Sequence, residues 1–169
     1  LATGNIWLEG EPVTGTTVSG RIRSGFVLVP EDRQRDGIVP TLSVMDNMLL
    51  ASLKKYLRGI LLAPSQEKSA IDSQIRDLSI RVASPQQPIT ALSGGNQQKV
   101  VVAKGMLTKP KVLLLDEPTR GIDVAARRKV YQLIESLAAE RKTIIMVSSD
   151  LEELLDTCDR IAVMSAGKL

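Results

Sequence analysis

Residues 89–123 read ITALSGGNQQKVVVAKGMLTKPKVLLLDEPTRGID, and this stretch decides the fold. Its first part is Leu92-Ser93-Gly94-Gly95-Asn96-Gln97-Gln98. Ser93 is a good N-cap, and Gln97 to Leu107 are helix formers with a broad apolar face, so a helix is expected to start at or near Ser93. Glycines there let backbone approach a ligand, and the free N–H groups of a first helical turn carry partial positive charge; the pair suits a phosphate. Taken alone, the same residues also describe a plain loop before a helix. The second part, Val112-Leu113-Leu114-Leu115-Asp116-Glu117-Pro118, is an apolar run too short for a typical helix, bounded by Pro110 and Pro118. It suits a buried parallel strand. Acids at the C-terminal edge of such a strand stand where open α/β sheets bind ligands, Asp116 to hold Mg²⁺ and Glu117 to position or deprotonate water. A strand followed by an acidic turn is the plainer alternative.

In this order the two parts resemble the signature motif and Walker B of the ATP-binding-cassette (ABC) ATPases. Thr119-Arg120-Gly121-Ile122-Asp123 resembles the D-loop of that family in the form typical of its monosaccharide importers, whose ATPase subunit is a tandem of two cassettes. The resemblance implies an α/β fold: a P-loop NTPase core with a mostly parallel sheet, a small antiparallel β part and a helical subdomain. Laid on one cassette, residues 1–30 correspond to the β-subdomain and a core strand. Residues 31–90 correspond to the Q-loop region and helical subdomain, and 91–169 to the signature, Walker B, D-loop and switch region.

Composition narrows the function. A chain of 169 residues with 43% hydrophobic residues and a net charge of +3 describes one globular domain able to bury a core. Lys, Arg, Asp or Glu interrupts every long apolar run, so no membrane span is expected. The charge is scattered and aromatics are 2% of the chain, so neither a basic stripe nor a stacking platform for nucleic acid is present. The single Cys158 excludes an intramolecular disulfide and suits the cytosol, and the absence of His removes His-dependent acid–base chemistry.

Along the chain, Gly4 to Val13 reads as a β-hairpin turning at Gly10 with Ile6 and Leu8 on a buried face. No GxxxxGK[ST] pattern occurs, and a start at Leu1 rather than Met suggests a cassette incomplete at its N-terminus. Phe26 to Val29 is a short strand leading into the charged loop Pro30 to Gly37. Ser43 can cap a helix to about Leu57 and Ser65 another to about Ile80. After Walker B, Asp123 can cap a helix to about Glu140 with Val130, Leu133, Ile134 and Leu137 on one face. Thr143 to Val147 reads as a strand, followed by a short helix through Leu155 and a last strand from Ile161 to Met164.

The resemblance also assigns roles. Ser93, Gly94, Gly95 and Gln97 fall in the signature that closes on the γ-phosphate of ATP held by a second cassette, and Asp123 falls in the D-loop beside it. Asp116 would hold Mg²⁺ and Glu117 would orient the attacking water. Glu31 stands where most cassettes have the Q-loop Gln, within reach of Mg²⁺, and Ser149 stands where most have the switch His. Both departures resemble the second cassette of the tandem sugar importers, which implies a slow or silent site on this half and an intact signature for the opposite one. The implied function is part of an ATPase subunit driving sugar import at the cytoplasmic face of the membrane. Its implied partners are a second cassette, membrane-spanning permease subunits and, indirectly, a substrate-binding protein. The chain alone is expected not to hydrolyse ATP. Alternatives are a soluble ABC ATPase of DNA repair or translation, a non-catalytic nucleotide-dependent interaction module, and an inert fragment.

Overall fold

The computed structural model describes residues 4–13, 17–53, 57–58, 61–62, 64–121 and 124–168. Its centre is a three-stranded parallel sheet of β3 (Phe26–Val29), β6 (Val112–Asp116) and β7 (Thr143–Val147), in the order β3-β6-β7. The register aligns Val29 with Leu115 and Leu115 with Met146, and Asp116 lies beside Val147. β6 is the middle strand, which explains a near-continuous apolar sequence with Val112, Leu113 and Leu115 buried. The connections β3 to β6 and β6 to β7 both run through helices, as parallel pairing requires.

The helices are α1 (Val18–Arg23), α2 (Val44–Leu49), α3 (Pro64–Asp77), α4 (Gly94–Met106), α5 (Val124–Ala139) and α6 (Leu151–Thr157). One sheet face, through Val29, Leu113 and Leu115, joins Val100, Val101, Ala103, Val130, Ile134 and Leu137 in a single core. The α5 stripe is core, as its spacing predicts, with Leu133 at the margin. Gly105 has a packing reason: a Cβ there would come within 2.6 Å of Val27, so α4 lies closely on β3. A short antiparallel pair, β4 (Leu57–Arg58) with β5 (Leu61–Leu62), separates α2 from α3.

Four segments differ from expectation. The N-terminal hairpin pairs only β1 (Trp7–Leu8) with β2 (Glu11–Pro12), and Ile6 is exposed while Val13 is buried. The helix capped by the Ser43 hydroxyl ends at Leu49: Val44, Met48 and Leu49 are buried, whereas Leu50 and Leu53 are each 38% exposed. The charged loop after β3 contains a π-helical turn, Arg33–Gly37, capped by the Asp32 carboxylate. Ile161–Met164 forms no strand, and Val163 and Met164 are exposed.

Candidate functional site

The sequence-derived residues fall into two groups. The first is the start of α4. Ser93 has the extended backbone of an N-cap, but its hydroxyl oxygen accepts from the Asn96 side-chain amide at 3.0 Å rather than from a backbone N–H. The first-turn N–H groups therefore keep no side-chain cap, and Ser93 is exposed with Gly94 and Gly95 half-buried. Gln97 faces the other way. It is 6% exposed, accepts from Gln34 Nε2 at 2.7 Å and donates to the Ile89 carbonyl at 3.3 Å, so its amide is engaged inside the chain.

The second group is the C-terminal edge of β6 and β7. Glu117 has a φ of 44°, the left-handed region that costs a non-glycine residue about 1 kcal/mol or more. Its N–H donates to the Val147 carbonyl at 2.9 Å, and its Oε1 accepts from the Ser149 N–H at 2.7 Å. Glu117, expected from the sequence to orient water, is thus tied by backbone and side chain to the end of the neighbouring strand. Ser149 supplies its backbone to this contact. The cap of α6 is Asp150, whose carboxylate accepts from the N–H groups of Glu152 and Glu153.

Beneath these residues lies a polar junction that sequence reasoning missed. Glu153 is 3% exposed and accepts from the Thr119 hydroxyl at 2.9 Å and from the Ser148 hydroxyl, tying the turn after β6 to the end of β7. Arg127 pairs with Asp150 at 3.1 Å on the same junction. Burial, the largest influence, pushes the Tyr131 phenol above its ordinary range, against a hydrogen bond with Thr119 that acts the other way. An acid three residues into a helix signals capping by its position, and nothing local announces these partners.

The two groups are bridged by the segment after β3. Gln34 reaches Gln97, and the Arg33 guanidinium lies against Gly94, where an added Cβ would stand 2.6 Å from Nη2. Glu31, at the other end of this segment, forms an ion pair with Arg120. Glu31, Asp32, Arg33, Gln34 and Arg120 line an open polar cleft of about 370 Å³.

Of the two acids expected near Mg²⁺, Asp116 fits. It is half-buried at the end of β6, and no described residue donates to its carboxylate, so hard oxygen ligands remain available. Glu31 is engaged with Arg120. Among the described residues no cluster of three or more His, Cys, Asp or Glu is placed to hold a metal by itself. Mg²⁺ commonly needs only one or two carboxylates when phosphate completes its shell. Asp123 lies outside the described residues.

A parallel sheet with acidic residues at the end of its middle strand, small antiparallel pairs and a helical segment are the parts expected of an ATP-binding cassette. The chain belongs to the ABC transporter family, whose pattern residues 1–120 match. It is 50% identical over 167 residues to the xylose import ATP-binding protein XylG of Pseudomonas savastanoi pv. phaseolicola, covering 99% of this chain and 32% of that protein. It is 46% identical over 168 residues to XylG of Ralstonia nicotianae, covering 99% and 33%. The chain therefore spans about a third of the length of these relatives. The fold is similar to that of the cassette MJ0796 solved as a dimer in a post-hydrolysis state with ADP and Pi: TM-score 0.72, 21% identity, covering 89% of this chain and 65% of that one. It is also similar to cbiO1 from Clostridium perfringens, part of the transporter complex cbiONQ: TM-score 0.74, 23% identity, covering 94% and 61%. No helix among the described residues is long and apolar enough to cross a membrane.

Proposed function

We propose that this chain is part of the ATP-binding subunit of a sugar importer and that it supplies its signature turn to an ATP site completed by a second cassette. The observation carrying this reading is the start of α4, where Ser93, Gly94 and Gly95 present uncapped N–H groups at the surface. Ser93, Gly94 and Gly95 contact the γ-phosphate held by the other cassette, and Gln97 sets their position from inside; Asp123 is assigned to the same nucleotide site by its motif alone. On this chain's own site, Asp116 holds Mg²⁺ and Glu117 orients water. When bound, Mg²⁺ supplies charge neutralisation at the β- and γ-phosphate oxygens. Ser149 contributes a backbone N–H to Glu117 and a short hydroxyl where a cation is usual, so this site turns over slowly. Residues 31–90 face membrane-spanning permease subunits at the cytoplasmic face of the membrane, with a substrate-binding protein acting through the permease.

The relatives' names make xylose the first solute to test. Proteoliposomes containing the full-length protein and its permease should take up labelled xylose only with ATP and Mg²⁺. Ser93→Arg, at an exposed position where folding is spared, should reduce uptake at least about tenfold by placing bulk against the phosphate. Uptake that persists without ATP, or that Ser93→Arg leaves unchanged, would overturn the reading.

A second reading, in which this half binds nucleotide without hydrolysing it, is favoured by the uncharged Ser149. Both readings assign the same role to the signature turn.

A further inference from the structure

We infer that Glu31 and Arg120 are a matched ion pair that positions the turn carrying Glu117, so that Glu31 is a positioning residue and not a ligand for Mg²⁺. This inference rests on the ATPase reading for its effect on turnover, but not for the existence of the pair.

Glu31 leaves the C-terminal end of β3, and Arg120 stands in the turn that leaves β6; the two strands are hydrogen-bonded neighbours. Their side chains meet as an ion pair between the two strand ends. The link from Arg120 to Glu117 is direct, because the Arg120 N–H donates to the Glu117 carbonyl at 3.1 Å and closes the turn. Glu117 itself holds a left-handed backbone with its carboxylate on the Ser149 N–H. Such a conformation persists only where its surroundings over-determine it. The Val147 carbonyl and Ser149 N–H brace Glu117 from the β7 side, and Arg120 braces the same turn from the β3 side.

The charges support the same assignment. Asp116, Glu117 and Glu31 would otherwise place three acids near a bound triphosphate, and Arg120 offsets the one that cassettes usually lack. Gln at position 31 would satisfy hydrogen bonds but could not neutralise Arg120. Both side chains are partly exposed, 41% for Glu31 and 65% for Arg120, so the pair adds little to global stability. Its effect is local. The same segment is fixed at its other end by Gln34 on Gln97 and Arg33 against Gly94. A shift at Glu31 is therefore felt at both the Glu117 turn and the start of α4.

The test is a charge-swap cycle in the full-length protein: Glu31→Arg, Arg120→Glu, and the two combined. Hydrogen exchange at residue 120, corrected for its intrinsic rate, reads the turn without requiring turnover. Each single reversal should lower protection roughly two- to fivefold, the range of an exposed ion pair, and the double variant should recover it. In ATPase assays the single reversals should lower kcat no further than Glu117→Gln does, with little change in KM for ATP, and the swap should restore kcat. Glu31→Gln should leave the Mg²⁺ concentration for half-maximal activity unchanged. Equal loss of protection in the double variant and the worse single would overturn the pairing. A raised Mg²⁺ requirement in Glu31→Gln with protection intact would make Glu31 a metal ligand instead. If the parent protein does not hydrolyse ATP, the functional reading fails, and the exchange cycle still decides the pair.

Discussion

Gly94 and Glu117 distinguish the two proposed ATP sites at the level of single residues. In the full-length protein with its membrane partner, Gly94→Asp should reduce steady-state ATPase by about a hundredfold or more, because a carboxylate in a dry, closed interface repels the γ-phosphate by several kcal/mol. Its fold should survive. The new acid would stand at a helix N-terminus, where negative charge is favoured, and beside Arg33, whose guanidinium lies 2.6 Å from the position of a Cβ at Gly94. Glu117→Gln should cost less, since it removes a base from a site that has Ser149 in the switch position. Turnover abolished by Glu117→Gln and left near wild type by Gly94→Asp would show that the productive site is the one this chain builds on its own Walker B. Ser93, Gly94, Asp116 and Glu117 were legible in the sequence because each marks the end of a regular element, where capping and burial patterns change. Arg33, Gln34 and Arg120 were not, because their partners are distant in sequence and a charged loop looks alike whether solvated or paired.

At the scale of elements, the junction of α3 and α4 depends on Lys99. Its ammonium donates to the carbonyls of Leu78 and Ser79 at 2.6 and 2.9 Å, satisfying acceptors just beyond the end of α3. Lys99→Met would strand these carbonyls and should destabilise the junction by about 1–3 kcal/mol. Burial holds the Lys99 ammonium below its ordinary value of 10.5, with Lys129 and then Arg81 pushing the same way. The folded state therefore binds fewer protons than the unfolded state between the lowered value and 10.5, and stability rises with pH across that window. The advantage of Lys99 over Met should accordingly widen as pH rises toward 10.5. Hydrogen exchange of α3 and α4 in increasing urea, at neutral and alkaline pH, measures the difference; a gap that narrows with pH would contradict the assignment. The sequence shows a helix-forming stretch around Lys99 but gives no sign that a lysine on it is buried. It also overextends α2, because apolar spacing past Leu49 continues where packing against α4 does not.

For the whole molecule, the two faces of the central sheet differ. Val27, Val29, Leu113 and Leu115 are buried under α4 and α5, whereas Leu28 is 58%, Ile145 54% and Val147 59% exposed on the opposite face. The register places Leu28, Leu114 and Ile145 in one row, so these side chains form a continuous apolar surface rather than scattered exceptions. The outer edge of β7 also has no strand beside it among the described residues, leaving backbone groups open to pairing. The 169-residue chain expressed alone should therefore bind the dye ANS and self-associate. The same surface should be covered in the full-length protein, since this chain is about a third of the length of its relatives. The combined variant Ile145→Lys and Val147→Lys distinguishes these two states. On the isolated chain it should lower dye binding at little cost to helix and strand content, because charge is placed on a surface that already faces water. In the full-length protein it should lose roughly 3–6 kcal/mol, the burial of two such side chains, and reduce the melting temperature of this cassette. A full-length variant as stable as wild type would mean that this sheet face meets solvent there too, and that the asymmetry of the core belongs to the cassette itself.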